Sequence, residues 1–251
     1  MAPRSVLVTG ANRGIGLGLV KTLLKNEKIE IIFAGCRNPD EAEELKAIKD
    51  GRLHLVKLDA TCDQSIEAAY KEVDEVVGEK GLNLLINNAG INVKYSFEEP
   101  PKRQDIVRQF DTNVFGIIVI SQTFLPLLRR AAKAYGGDDV NVDRSAIVNI
   151  SSGAGSIGSK ERGPKDNSML IYRMSKAALN QFSKTLSIDD FANDHILVAS
   201  ICPGWVQTDM GGDSALLTLE ESLRDLVPTI LRLQKEHNGG YLDRTLKTIP
   251  F

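Results

Sequence analysis

Short β-branched runs alternate along this chain with longer amphipathic stretches, and few folds accept that alternation. The runs Ser5–Thr9, Ile29–Cys36, Leu53–Asp59, Leu82–Asn87, Ala146–Ile150, Ile196–Cys202 and Gly240–Leu242 read as strands. Most are apolar throughout rather than at every second residue, which is the pattern of strands covered by helices on both faces. The stretches Ile15–Asn26, Asp40–Lys49, Gln64–Glu79, Gln104–Tyr135, Tyr172–Phe191 and Leu219–Glu236 carry helical periodicity. A strand–helix–strand connection crosses over right-handed and makes the strands it joins parallel. The expectation is an α/β fold, a doubly wound parallel sheet with helices on both faces.

No repeat and no Pro-, Gly- or Ser-rich linker divides the 251 residues, so one domain spans 1–251. The chain is 42% hydrophobic and 25% charged, enough for a sizeable core. Thirty-one basic against 33 acidic residues leave a net charge of -2 without a block of one sign, which argues against a nucleic-acid or anionic-membrane partner. Met1-Ala2-Pro3-Arg4 runs straight into the first strand without a signal-type apolar region, and no uninterrupted apolar run has transmembrane length. Cys36, Cys62 and Cys202 are odd in number and widely spaced, as expected of reduced thiols in a cytoplasmic protein. His54, His195 and His237 are scattered, and no metal site is expected. Two loops break the alternation. Gly136–Asn141 precedes the fifth strand and reads as a surface connection. Gly158–Ser168 follows that strand, on the edge where such sheets bind ligands, and is expected to wall a pocket.

Between the first strand and its helix lies Thr9-Gly10-Ala11-Asn12-Arg13-Gly14-Ile15-Gly16. Glycines there allow a tight turn and let a pyrophosphate approach the N–H groups of a helix N-terminus. The spacing differs from the GxGxxG fingerprint of dinucleotide-binding sheets, so position carries as much weight as pattern. The second strand ends Cys36-Arg37-Asn38-Pro39, with no carboxylate to bind a ribose 2′-hydroxyl. Arg37 and Arg13 instead suit a 2′-phosphate, which an arginine binds bidentately, and the cofactor expected is NADP(H).

Tyr172 and Lys176 stand four residues apart on a helical pattern, which puts phenol and ammonium on one face. A cation beside a phenol favours the phenolate, so Lys176 is expected to lower the Tyr172 pKa and make the phenol a usable proton donor at neutral pH. Isolated pairs of this kind recur on helix surfaces, and the weight comes from the rest of the chain.

In order along the chain stand Thr9–Gly16, Asp59, Asn87-Asn88-Ala89-Gly90, Asn113, Ser151-Ser152, Tyr172-x-x-x-Lys176 and Pro203-Gly204 followed by Thr208. Together these resemble the short-chain dehydrogenase/reductase family over almost the whole length. Cys36–Pro39, the stretch Pro203–Gly212 and Asn238-Gly239-Gly240-Tyr241 look like its sniffer-type (C-factor-like) carbonyl reductases. The resemblance implies a Rossmann-type fold, with a cofactor half at about 1–145 and a catalytic and substrate half at about 146–251. It implies cofactor contacts from Gly10, Asn12, Arg13, Gly14, Ile15, Gly16, Arg37, Asn87, Ala89, Gly90, Pro203, Gly204 and Val206. Asp59 would bond the adenine and Thr208 the nicotinamide carboxamide, and the Asn87–Gly90 turn would also steady the sheet. Ser152, the second serine of its pair, would join Tyr172, Lys176 and Asn113 as the catalytic set, with Asn113 bending its helix and relaying protons to Lys176. Tyr172 and Lys176 would touch the cofactor as well. The separation between Ser152 and Tyr172 is longer than the family's usual gap.

The function expected is reduction of a small aldehyde, ketone or quinone by hydride from NADPH, with Tyr172 as general acid. The alternatives are oxidation of a secondary alcohol or hydroxysteroid, and NADP(H) sensing without turnover. Ile91–Ser96, Gly153–Leu170 and the stretch after Pro203 are expected to form the pocket, with Trp205, Met210, Tyr95, Met169 and Leu170 as its apolar wall. Lys160, Arg162 and Arg173 are the charges nearby. Asp209–Gly212 suits a mobile lid, and Thr218 with Glu221 suits the N-cap of the following helix. A homodimer is expected from the resemblance alone.

Overall fold

A computed structural model describes residues 2–159, 168–190 and 194–251. Most of the Gly158–Ser168 loop, including Lys160 and Arg162, lies outside the described residues, as does Phe191 at the expected end of its helix. Seven strands form one sheet: β1 (Ser5–Thr9), β2 (Ile31–Cys36), β3 (Leu53–Lys57), β4 (Leu84–Asn87), β5 (Ala146–Ile150), β6 (Leu197–Cys202) and β7 (Tyr241–Asp243). Their order is β3-β2-β1-β4-β5-β6-β7, and every pair is parallel. The helices are α1 (Gly14–Leu23), α2 (Glu43–Lys46), α3 (Asp63–Val77), α4 (Arg103–Phe110), α5 (Gly116–Tyr135), α6 (Leu170–Thr185) and α7 (Leu219–Leu231). The strand order reverses between β1 and β4, and at such a switch point the C-terminal strand ends part to leave a crevice.

Alternate residues of each apolar strand serve different cores, as period-two geometry requires. Val6, Val8, Ile32 and Ala34 pack with Leu19 of α1 and Leu226 of α7 on one face. Leu7, Phe33, Leu85 and Val198 pack with Ile66 of α3 and Phe124 of α5 on the other. Each large side chain so buried stabilises by roughly 1.5–3 kcal/mol. Exposed ion pairs such as Lys21–Glu44 contribute about 0–1 kcal/mol, so burial of the sheet's two faces holds the layers together.

Several expected boundaries move for local reasons. Pro39 opens a 3-10 turn over Pro39–Glu41, which leaves α2 a single turn. α7 begins as expected: the Thr218 hydroxyl accepts from Glu221 N at 3.2 Å while the Glu221 carboxylate accepts from Thr218 N at 2.8 Å. It ends at Leu231, and Lys235–His237 forms a separate 3-10 turn. The expected helix Gln104–Tyr135 is continuous but carries a wide turn of π type at Asp111–Phe115. Arg103–Tyr135 is long and apolar enough to cross a membrane by composition, and half of its most apolar window is buried in the fold, where it packs on α3 and the sheet.

Beneath the C-terminal strand ends a polar chain crosses the core. Asn87 on β4 donates to the side chain of Asn149 on β5 at 2.8 Å, and Asn149 donates to Ser183 on α6 at 2.8 Å. Ser200 on β6 donates to Ser183 at 2.8 Å. All four residues are buried.

Candidate active site

The glycine turn is packed too tightly for side chains. A Cβ on Gly16 would lie 2.2 Å from the carbonyl oxygen of Gly10, and Gly10 itself holds φ +63°. Asn88 ties this turn to the end of β4, donating to Thr9 O at 2.9 Å and Gly10 O at 3.1 Å. The first turn of α1 has no capping side chain and no acidic residue, which leaves its amides available to an anion. Gly10, Asn12, Arg13, Gly14, Ile15 and Gly16 line the crevice with Arg37, Asp59, Ala89 and Gly90. Glycines that admit a close backbone approach, open helix amides and two exposed guanidiniums fit a dinucleotide carrying an extra phosphate. Asp59 turns its carboxylate to the backbone N–H and hydroxyl of Thr61, at 3.0 and 2.9 Å.

Across the crevice lie Pro203, Gly204, Val206 and Thr208 from the segment after β6. The Thr208 methyl faces Gly14, where an added Cβ would meet it at 3.4 Å. Beside them Arg13 and Asp209 form an ion pair at 2.7 Å, so the glycine turn and the loop after β6 touch at the rim.

Between these walls β5 ends in two serines with opposite fates. Ser151 is buried and donates to Asn180 at 2.6 Å, which points it into α6. Ser152 and Tyr172 both line the crevice, with the serine hydroxyl near enough to the phenol to favour its ionised form. Of the pair, the second serine therefore faces the tyrosine, and the long chain segment between them does not separate them in space. Burial pushes the Tyr172 phenol up to about 12, a rise that the Ser152 hydroxyl opposes. The lowering expected from Lys176 is absent. The Lys176 Nζ sits 5.8 Å from the centroid of the tyrosine ring and donates to Ile150 O at 2.8 Å. Burial brings the lysine itself down to about 8.

Asn113 is wholly buried in the wide turn ahead of α5 and lies behind the crevice rather than in its lining. Its Nδ2 donates to Ile91 O at 2.9 Å and to Ser175 Oγ at 3.1 Å, and its Oδ1 accepts from Ile91 N at 2.9 Å. An added Cβ on Gly90 would meet Asn113 Oδ1 at 3.4 Å and Lys176 Nζ at 3.8 Å, so amide and lysine flank one glycine. The wide turn at Asn113 is the expected break in helix regularity.

One expected contact moves. Asn87 does not line the crevice: its side chain is fully buried and donates to Ser121 and Asn149, while Asn88 takes the lining position. Of the apolar wall, Trp205, Met210 and Met169 line the crevice, but Tyr95 and Leu170 do not. Two buried residues were missed. Gln109 donates to Ile91 O at 2.8 Å and accepts from Val93 N at 2.7 Å. Ser175 donates to Tyr172 O at 2.8 Å. Gln109 stands one helical turn before Asn113, a spacing that could have drawn attention to it.

A doubly wound sheet with a glycine turn suited to an anion at its switch point, facing Ser152 and the buried Tyr172 and Lys176, is the arrangement of a nucleotide-dependent oxidoreductase. The family model for short chain dehydrogenase matches residues 4–216, and the chain belongs to that family. It is 36% identical over 231 residues to the short-chain dehydrogenase anuI of Penicillium roqueforti, covering 88% of this chain and 86% of the relative. The carbonyl reductase Sniffer of D. melanogaster superposes with a TM-score of 0.93 at 37% identity, covering 99% of this chain and 100% of that one. An NADPH-bound carbonyl reductase from chicken fatty liver superposes with a TM-score of 0.94 at 39% identity, covering 100% and 95%. The chain is thus an oxidoreductase similar over its full length to sniffer-type carbonyl reductases.

Proposed function

We propose that this protein reduces a small aldehyde, ketone or quinone at the expense of NADPH. The observation that carries the reading is a buried Tyr172 that lines the crevice together with Ser152 and Lys176, on the wall opposite the glycine turn. When bound, the nicotinamide would supply the hydride. Ser152 and Tyr172 donate hydrogen bonds to the carbonyl oxygen, and Tyr172 gives up its proton as negative charge develops there. A phenol that burial keeps protonated is in the form reduction requires. Lys176 holds the nicotinamide ribose and, with Asn113 beside it, passes a replacement proton to the tyrosine. Arg37 and Arg13 bind the 2′-phosphate and Asp59 the adenine. Thr208 holds the carboxamide. The similarity to carbonyl reductases, one of them NADPH-bound, supports both the cofactor and the substrate class.

The protein acts in this reading as a cytoplasmic homodimer, paired through α5 and α6, whose neighbouring side chains Phe115 and Met174 are exposed. The test is NADPH consumption followed by absorbance with a panel of aldehydes, aromatic ketones and quinones, alongside NADH and secondary alcohols with NADP+. Turnover of carbonyls with NADPH supports the reading. Faster oxidation of alcohols than reduction of any carbonyl overturns the direction, and tight NADPH binding without turnover turns the protein into a sensor.

A further inference from the structure

The segment that carries Ser152 is tied down from a distant part of the chain. Tyr241 on β7 is fully buried, and its hydroxyl donates to the backbone carbonyl of Ser152. After β7 the chain turns back at Asp243–Lys247, where Asp243 N donates to Lys247 O at 2.8 Å and Leu246 takes a left-handed φ of +67°. It returns beside β7, with Ile249 N bonded to Tyr241 O at 2.8 Å. Its last residues then meet the serine segment again. Ser156 Oγ donates to Pro250 O, and Gly158 N donates to Phe251 O at 2.8 Å. The Phe251 ring packs on Tyr241 with 5.6 Å between centroids. Gly158 approaches so closely that an added Cβ would lie 3.0 Å from Phe251 O and 3.2 Å from Pro250. Ile249, on the same returning stretch, lines the crevice.

We infer that Tyr241 and the returning stretch Ile249–Phe251 position the catalytic serine and the pocket wall that follows it. Tyr241 sets the Ser152 carbonyl and with it the direction of the hydroxyl. Pro250 and Phe251 hold Ser156 and Gly158, and Ile249 supplies part of the surface the substrate meets. Tyr241 touches no reacting atom and acts through Ser152, so it is a positioning residue. Its hydroxyl matters because hydride transfer depends on the placement of the carbonyl oxygen to a fraction of an ångström. The role in turnover rests on the carbonyl-reductase reading above.

Tyr241→Phe removes one oxygen and keeps the buried ring. The expected result is a kcat lower by about tenfold with NADPH affinity unchanged, read by quenching of Trp205 fluorescence, and faster amide exchange confined to Gly153–Ser156. Ser156→Ala cuts the tie to Pro250, together with the bond that the same hydroxyl accepts from Ser159 N. It guards against a folding defect in the first variant and is expected to raise the substrate KM about threefold at unchanged kcat. A melting temperature that falls while kcat, KM and local exchange stay at parental values in both variants overturns the inference and leaves Tyr241 a purely structural core residue. Localised exchange in Tyr241→Phe without carbonyl turnover by the parent would keep the anchoring and overturn the reaction assigned to it.

Discussion

Lys176 and Arg13 line the same crevice, yet their surroundings differ sharply. The lysine is 4% exposed and bonded to a strand carbonyl, whereas the Arg13 side chain is 67% exposed and paired with Asp209. The same contrast separates the two ends of the site. Ser152, Tyr172, Ser175, Gln109 and Asn113 are locked by short-range bonds into β5, α4 and α6, while Arg37 stands free in solvent at the end of β2. Removing a charge from water costs several kcal/mol, and the chain accepts that cost at Lys176 in the crevice as well as at Arg144, whose guanidinium donates to the backbone carbonyls of Ala132, Gly137 and Asp139 away from it. In the proposed reading the end that holds Arg13 and Arg37 meets a phosphate, which needs charge at the right place but not a fixed geometry, so exposed arginines would suffice there.

The largest effect that would break this comparison belongs to the buried end. Tyr172→Phe should lower kcat/KM for the best carbonyl substrate by about 10³-fold while leaving NADPH binding intact. A loss of under tenfold would remove the phenol from the chemistry. Next comes the exposed end. Arg37→Glu should raise the KM for NADPH by about 10–100-fold and leave that for NADH nearly unchanged, which parallel steady-state assays with the two cofactors resolve. Equal loss with both would mean that Arg37 does not read the phosphate.

A third comparison uses pH on the cofactor-free protein. Burial holds Lys176 at about 8 against an ordinary 10.5, so its stabilising share is complete above pH 10.5 and fades as pH falls through 8. Tyr172, raised to about 12 from 10.0, contributes below pH 10 and loses that share as pH climbs through 12. Urea denaturation between pH 8 and 10 should therefore show the parent gaining stability relative to Lys176→Met. Parallel curves would mean that the lysine stays charged in the fold. The smallest effect is expected from Asp209→Asn, which breaks an ion pair between two well-exposed side chains. It should change stability by less than about 1 kcal/mol, and a larger fall in melting temperature would show that the rim is as tightly built as the floor.

What the sequence disclosed follows the reach of each interaction. The apolar strands, the glycine turn and the Tyr172–Lys176 spacing are patterns within a few residues, and they fall where expected. The choice between Asn87 and Asn88 was beyond such reading, because consecutive side chains leaving a strand point to opposite sides. Gln109 and Ser175 look like ordinary polar helix residues until packing brings both against Ile91 and the Tyr172 carbonyl. The pKa of the tyrosine failed for a related cause: helical spacing places a lysine one turn away, but burial depth and the lysine's own acceptor on Ile150 decide the sign. Tyr241 bonds a residue far away in the chain, and no local pattern marks it.

The polar chain from Asn87 through Asn149 and Ser183 to Ser200 has a consequence for how this protein can change over evolutionary time. Replacing Asn149 or Ser183 by an apolar residue strands a buried donor or acceptor of its neighbours at about 1–3 kcal/mol. Ser183, by contrast, keeps Asn149 and Leu179 O as partners when Ser200 is replaced, and Asn87 Oδ1 is already without one. Replacing several together removes donors and acceptors in matched numbers and costs far less than the sum. Drift at these positions is therefore coupled: a change at Asn149 or Ser183 costs less once its partners have changed, while Ser200 is freer to vary.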